Sequence, residues 1–525
     1  RSSPGCPRLR RRRRPPAAGR PMSQPPDAPQ AVPKRVCVVG AGAAGVACAW
    51  ALAREPGCEV TLLERGAAPG GVAYSKTWRG AQLNVGVQGA AGSYRNTLAW
   101  HRLFGFEPTA VRMTCSFGKG GHNWTNYEDS ELAQRMRGEI QAFQRCLQRV
   151  SQFEPVFAFL SIDSVLRMWR FSDEFRHRMV YPLVALFFGT GNSTPRVSAA
   201  IIARVFLDPQ LRLFDYSPER LLDQAPDMYA FDDLTALYDR VVSETPIAAK
   251  EFGVEVASVR RTSDAVEVTW QRQGERETQV FDAIVFACPA DVALQLLGDG
   301  ATMMERRVLG SVTYYDDVSI THTDKHYMDK HYQRNRDSDM YFIKTVPDNM
   351  DKLEMAFVIT NYQPHLRTLG DEVYQTIFLD STDRETLWTD SEIDPQKVIS
   401  KDWWRAFSHE VSHYRYVVPW MPLLQCGKRT LYAGSWTVAN THEVAVISGL
   451  AAAWRLGARY PFEPDEMARS QFDTYLRVAH GIGYVFSRAE LPRGSQLVGA
   501  PLCGERVGKT HTGGAPWQDG AQVGA

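Results

Sequence analysis

The chain has 525 residues, 44% hydrophobic and 23% charged, with a formal net charge of +1, which predicts two to four domains of an ordinary soluble globular kind. Residues 1–21 hold eight Arg and no acid, so the rest carries 52 basic and 59 acidic residues, a net of −7, and this argues against a nucleic-acid-binding body. Nine scattered Cys with no C-x-x-C pair argue against a zinc ribbon or a disulfide framework and fit a reducing compartment.

Residues 1–33 are predicted to be a disordered basic segment, because the run Arg10–Arg14 sits among Pro- and Ala-rich stretches. Residues 1–21 read as untranslated sequence carried into a gene model (Met22 opens a more ordinary N-terminus), as part of an organelle transit peptide, or as a basic tail. Location is therefore left open: intracellular, and organellar if residues 1–33 are a transit peptide. No secretory signal is visible, so the sequons at Asn123 and Asn192 are read as chance matches.

Next comes Val36-Cys-Val-Val-Gly-Ala-Gly-Ala-Ala-Gly45, an apolar strand running into a G-x-G-x-x-G turn, then a helix over about Ala43 to Arg54 and a second strand that ends in Glu64. This layout holds the pyrophosphate and ribose of an adenine dinucleotide. Gly40 permits the tight turn, Gly42 removes the Cβ that would block the pyrophosphate, and Gly45 lets the helix pack close to the strand. The helix, through Ala44, aims its positive N-terminus at the phosphates. Glu64 accepts from ribose hydroxyls and disfavours a 2′-phosphate, so NADP is not expected.

Further along, Ala67-Ala-Pro-Gly70-Gly71 is a loop with paired glycines, and Leu83 to Gly92 is strand and loop. Gly118-Lys-Gly-Gly121 turns a hairpin and lacks P-loop spacing. Residues 127–245 read as a largely helical insertion, with helical periodicity at Glu131–Val150, Ile162–Arg178, Ser198–Phe206 and Leu234–Ser243. Within it, Met179 to Gly189 is too short to span a bilayer, which needs ~20 residues. Met179 to Phe188 suits either the lining of an apolar substrate chamber or plain core. Strands are predicted at Gly253–Val259, Ala265–Gln271, Phe281–Cys288, Ser311–Tyr315, Met340–Val346 and Glu354–Thr360.

His409-Glu-Val-Ser-His413 matches H-E-x-x-H. However, Tyr414 to Trp420 reads as strand or extended chain and no third ligand is evident, so no metal site is assigned. His326 and His331 read as solvated. Finally, Thr430-Leu-Tyr-Ala-Gly434-Ser435-Trp436 is a short strand ending in Gly-Ser, and Asn440-Thr-His-Glu443-Val-Ala445 opens an Ala-rich helix with Gly457 as its C-terminal cap. A second strand–turn–helix so far from the first suggests a second contact on one long ligand. A flavin suits it, since a helix N-terminus near N1/C2=O stabilises reduced flavin.

With these blocks the chain resembles the flavin-containing amine oxidase superfamily, which includes amine oxidases, phytoene desaturases and protoporphyrinogen oxidases. It is most similar to a branch of uncharacterised predicted NAD/FAD-binding oxidoreductases. The resemblance is carried by Val36–Gly71, by Gly253–Val259 with Asp282–Pro289, by Val308–Tyr314 with His322-Thr-Asp324, and by Leu431–Gly449.

It implies an α/β fold: a discontinuous Rossmann-type FAD domain (34–110, 246–295, 425–462), an α+β substrate domain (111–245, 296–424), a C-terminal helical extension (463–494) and a disordered tail (495–525). The implied cofactor contacts are Gly40, Gly42, Ala44, Gly45, Glu64, Gly70, Gly71, Val256 (whose backbone meets adenine), Gly434, Ser435, Glu443 and Ala445. The cofactor is FAD, held without a covalent bond. Some relatives attach it through a Cys upstream of the closing strand, but Cys426 reads as a structural thiol.

This chain departs from the pattern at Val72, where relatives carry a phosphate-binding Arg, and at Val444, which replaces an acid. At Thr441 amine oxidases place half of an aromatic cage. No match for their active-site Lys is found. The expected function is an FAD-dependent oxidoreductase, with hydride passing from a small organic substrate, apolar and of lipid or polyene type, to flavin N5, and with oxygen or another acceptor following. No transmembrane segment is expected, though peripheral membrane contact remains open. His322 and His442 are weak acid–base candidates, and no catalytic residue is named. An FAD-dependent isomerase without net redox and a non-catalytic FAD-binding protein stay open beside it.

Overall fold

Five short strands form a parallel sheet: β1 (Arg35–Val39), β2 (Glu59–Glu64), β3 (Ala249–Phe252), β4 (Ala283–Phe286) and β5 (Thr430–Tyr432), in the order β3-β2-β1-β4-β5. The computed structural model describes residues 35–189, 191–207, 215–223, 225–346, 349–378 and 388–484. The basic segment and the tail expected to be disordered lie outside them. Apart from Arg35, β1 is buried throughout, and so are β4 and β5, as befits strands covered on both faces. Helix α1 (Ala43–Ala53) makes the crossover from β1 to β2. The other crossovers carry the remaining described elements that precede β5.

A three-stranded antiparallel meander (Glu255–Arg261, Val266–Arg272, Glu275–Phe281) stands between β3 and β4 in sequence. Its third strand corrects the sequence reading. Glu275–Val280 is exposed throughout and polar except for Val280, so it lacks the alternation that marks a half-buried strand. The hairpin at Gln273-Gly274, both with positive φ, pins it in place.

The second body is a seven-stranded sheet, in the order Val398–Phe407, Tyr314–His322, Tyr374–Phe378, Asn349–Val358, Tyr341–Val346, Cys115–Phe117, Trp124–Thr125. Only the contact of Tyr341–Val346 with Cys115–Phe117 is parallel. Helices of residues 131–207 share one core with this sheet, including Phe117, Ile140, Phe143, Met179, Leu183, Ile202 and Phe357.

The helix predicted over Ile162–Arg178 is broken. It stops at Met168, Arg170 takes positive φ, and the Ser172 hydroxyl accepts from Phe175 N–H to start a new turn. Met179 to Leu186 is buried without a gap, so this part of the run is core, while Phe187 and Phe188 keep partly exposed rings.

Three buried or half-buried amides fasten the two bodies. Gln363 Oε1 accepts from Asn84 N–H (3.1 Å), Gln88 Nε2 donates to Gln375 Oε1 (2.8 Å), and Gln375 Nε2 donates to Val85 O (2.8 Å). The segment Leu83–Gly92 is thereby tied to the interior strand Tyr374–Phe378 and to Gln363 of the second body.

Candidate functional site

In a parallel sheet flanked by helices, ligands bind beyond the carboxyl ends of the strands. Here that edge is made by Gly40–Gly42 after β1, Glu64–Gly66 after β2, Ala287–Cys288 after β4 and Gly434–Ser435 after β5. Gly40 has φ +102°, and a Cβ on it would stand 2.6 Å from Ala287 O, so only glycine makes the turn. A Cβ on Gly45 would lie 1.8 Å from Gly40 O, whereas one on Gly42 would meet nothing within 4 Å. Gly45 therefore serves packing, and Gly42 faces open space above the start of α1. That helix has no side-chain cap, so its first N–H groups keep their capacity to bind an anion.

The paired-glycine loop closes on this turn. Gly70 N–H donates to Ala41 O (2.8 Å), and a Cβ on Gly71 would come within 3.1 Å of Gly42 Cα. Glu64 binds both sides of the turn: its Oε2 accepts from Ala41 N–H and its Oε1 from Gly66 N–H, each at 2.6 Å. Each oxygen keeps a further lone pair for a hydroxyl. Val254 N–H donates to Glu64 O, which brings Val256 alongside. Val256 sits at a β-bulge, where its strand slips register against Trp270 and Thr269. Val72 is exposed by 54% and supplies no charge.

The second predicted unit arrives at the same edge. Gly434 has φ +134°, its N–H donates to Ser448 Oγ (2.8 Å), and a Cβ there would collide with the Trp436 ring. Trp436 is buried and donates to Cys288 O, so it braces this bend. Helix α2 (Arg95–Leu103) and helix α3 (Leu234–Glu244) come before it in the chain. Helix α4 (His442–Arg455) starts at Thr441, whose hydroxyl caps Val444 N–H at 3.0 Å. The residue that breaks the aromatic-cage pattern is thus the helix cap. A Cβ on Gly449 would lie 2.0 Å from Ala44 O, so α4 rests on the start of α1.

Two expectations change. Glu443 does not turn its side chain to the site. It is buried and accepts from Asn96 N–H, Asn96 Nδ2 and Thr97 N–H at 2.8–2.9 Å, capping α2. Burial raises its carboxyl above the ordinary range against the pull of these bonds. Ala44 is likewise buried, with its carbonyl oxygen against Gly449. Gly42, Glu64, Gly71, Val256, Gly434, Ser435 and Ala445 keep surface open to the edge.

His442 Nε2 lies 2.7 Å from Tyr238 OH, and Tyr238 in turn backs Gly70. Burial pushes the His442 imidazole down to about 4. His322 is fully buried in the second sheet, with Nε2 3.0 Å from Thr376 Oγ1 and Nδ1 accepting from Asp324 N–H, away from this edge. Tyr238, Asn84 and the glutamines were not singled out from sequence. For Asn84 and Gln88 the signal there is a polar residue lodged among the glycines of 83–92.

The segment after the H-E-x-x-H match is helical (Val411–Tyr416), not extended. His409 precedes that helix, with Nδ1 2.9 Å from Tyr414 OH and Nε2 accepting from Asn440 N–H, so the two His do not share a helix face. Cys426 lies before β5, beside Arg455 at the far end of α4, ~20 Å along the helix from His442.

Residues 38–104 match the family of NAD(P)-binding Rossmann-like domains. A curated relative, lysine-specific histone demethylase 1 homolog 2 of Oryza sativa subsp. japonica, is 41% identical over 102 residues, 19% of this chain and only 13% of the relative. Among solved structures, the cyclohexylamine oxidase of Brevibacterium oxydans is similar over 81% of this chain and 98% of its own, with TM-score 0.59 and 13% identity. The CLA-producing fatty acid isomerase of P. acnes is similar over 79% and 97%, with TM-score 0.54 and 16% identity. At such identities the likeness is one of fold: the chain carries a Rossmann-like nucleotide-binding domain in an amine-oxidase-type α/β architecture.

Proposed function

We propose that the chain is an FAD-dependent oxidoreductase acting on a small organic substrate. The observation that carries this reading is the seat of Gly449 on Ala44. It sets two helix N-termini on one sheet edge, with His442 two turns, ~10 Å, beyond the level of Ala44. One N-terminus would hold the pyrophosphate and the other the ring of a single extended cofactor.

In this reading the N–H groups after Gly42 bind the pyrophosphate and Glu64 binds the ribose. The Val256 backbone meets adenine. The small residues Gly434, Ser435 and Ala445 let the ring approach, and the N-terminus of α4 stabilises its reduced charge. Bound there, flavin would accept a hydride at N5 and release electrons to oxygen or another acceptor. Cys426 is placed at the wrong end of α4 for a covalent link, which supports non-covalent binding. Tyr238 and His442 join the glycine loop to the start of α4, and the neutral His442 would leave the ring's charge to the helix.

Thr441 offers no ring face for an amine, which favours an apolar substrate of lipid or polyene type. The test is the absorption spectrum of the purified protein with added FAD, followed by an anaerobic screen of donors. Retained flavin bands that bleach with a donor support the proposal, whereas no flavin uptake rejects it. A product of unchanged mass formed without bleaching would reassign the chain to isomerase chemistry.

A further inference from the structure

Exposed large apolar side chains gather on one face of the second body. Phe153 (51%), Val156 (61%) and Phe159 (46%) stand out where the long helix Glu131–Gln152 ends and the turn Glu154–Phe157 follows. Tyr416 and Leu423 (61%) stand out from the segment 411–424. The two stretches are tied together: Ser161 bridges Ser198, and Ser198 N–H donates to His409 O. Between them runs an open groove lined by Phe159, Arg307, Arg415, Tyr416 and Trp420.

Each exposed cation here lies over an aromatic ring: Arg149 over Phe153 (5.8 Å), Arg307 over Trp420 (5.2 Å) and Arg415 over Tyr416 (5.3 Å). The nearby carboxylates are already engaged, Glu154 by Arg204 and Glu410 by Arg196. Among the described residues no carboxylate lines the groove. The face is therefore cationic on a body whose net charge is −7.

We propose that this face docks the protein on the surface of an anionic phospholipid bilayer. Aliphatic and aromatic groups exposed by half favour the headgroup–acyl boundary, and rings with paired arginines match that layer, where one part of each side chain is apolar and the other meets phosphate. Three cations on an acidic body are too few for nucleic acid, whose binding needs a broad basic surface. No helix of the described residues is long and apolar enough to cross a membrane, so the contact is peripheral. None of these residues belongs to the nucleotide edge, so the proposal stands or falls apart from the flavin reading.

The experiment is co-sedimentation of the full chain with vesicles of phosphatidylcholine alone and of equimolar phosphatidylcholine and phosphatidylglycerol. Binding to the mixed vesicles only, weakened by salt, is expected. The double variant Arg307→Gln/Arg415→Gln should lower partitioning by roughly thirtyfold, given the worth of each basic residue at an anionic surface. Phe159→Ser should lower it as well, and thermal midpoints should stay unchanged. Four results overturn the proposal: no binding to anionic vesicles, equal binding by the variants, full displacement by free glycerophosphate, or a dimer in solution that Phe159→Ser dissolves while vesicles are not bound.

Discussion

Gly449 in α4 and Ala44 in α1 are in direct backbone contact: a Cβ on Gly449 would stand 2.0 Å from Ala44 O and 3.0 Å from Cys48 N. The second helix of the nucleotide edge therefore takes its position from the first. Gly449→Ala forces α4 away from α1, because backbone cannot yield as a side-chain tip would. Overpacking of this kind costs about 1–3 kcal/mol. The expected outcome is a lower thermal midpoint together with weakened FAD binding, read by titrating flavin fluorescence.

Gly42 and Gly45 belong to one motif, yet the structure gives them opposite duties. Gly42 has φ −69° and its Cβ would point into open space. Gly42→Asp should therefore leave the far-UV dichroism and thermal midpoint nearly unchanged while abolishing FAD uptake, since a carboxylate would occupy the anion's place. Gly45→Ala should instead fail to fold or melt far earlier, for its Cβ would lie 1.8 Å from Gly40 O. Equal loss of stability in both variants would overturn the assignment of the open space to a ligand.

The glycine turn, Glu64 and the strand–bend–helix at 430–455 were legible because each is a local pattern with a local cause: a turn, a close approach, a cap. The partners of the Glu443 carboxylate were not legible for the opposite reason. That carboxylate caps a helix more than three hundred residues earlier in the chain, and no window of sequence carries that pairing. The same holds for the Gln88–Gln375 bond and for the apolar run after Met179, whose periodicity suits a chamber wall as well as a core. The strand Glu275–Phe281 escaped because an exposed polar strand has no hydrophobic alternation.

Acid should weaken the fold through its buried histidines. Burial lowers His322 and His442 to about 4, and His409, His413 and His480 to about 3. Above the ordinary histidine range, near 6.5, these groups are neutral in both folded and unfolded chains and stability does not depend on them. As pH falls below that value the unfolded chain takes up protons that the folded chain refuses. Stability then declines by about 1.4 kcal/mol per pH unit for each group until the folded value is reached. Thermal midpoints measured from pH 8 to pH 4 should be flat above ~6.5 and fall steeply below it. A midpoint that holds steady down to pH 4 would contradict this burial.

Glu443 offers the sharpest separation of positioning from chemistry. Helix α2 has no cap from its own preceding residue, Tyr94, and borrows the Glu443 carboxylate, which takes three N–H donors. Glu443→Ala strands those buried donors and should cost about 2–4 kcal/mol, given ~1–3 kcal/mol for each unsatisfied buried group after partial relaxation. Glu443→Gln keeps the shape and one acceptor oxygen but turns an amide N–H₂ toward a donor, so its loss should be intermediate. Because α2 packs against α4, flavin affinity should fall in the same order as stability, Ala below Gln below wild type, while the spectrum of flavin that does bind keeps its shape. A Gln variant of wild-type stability whose bound flavin has a shifted spectrum or potential would instead place the carboxylate against the ring.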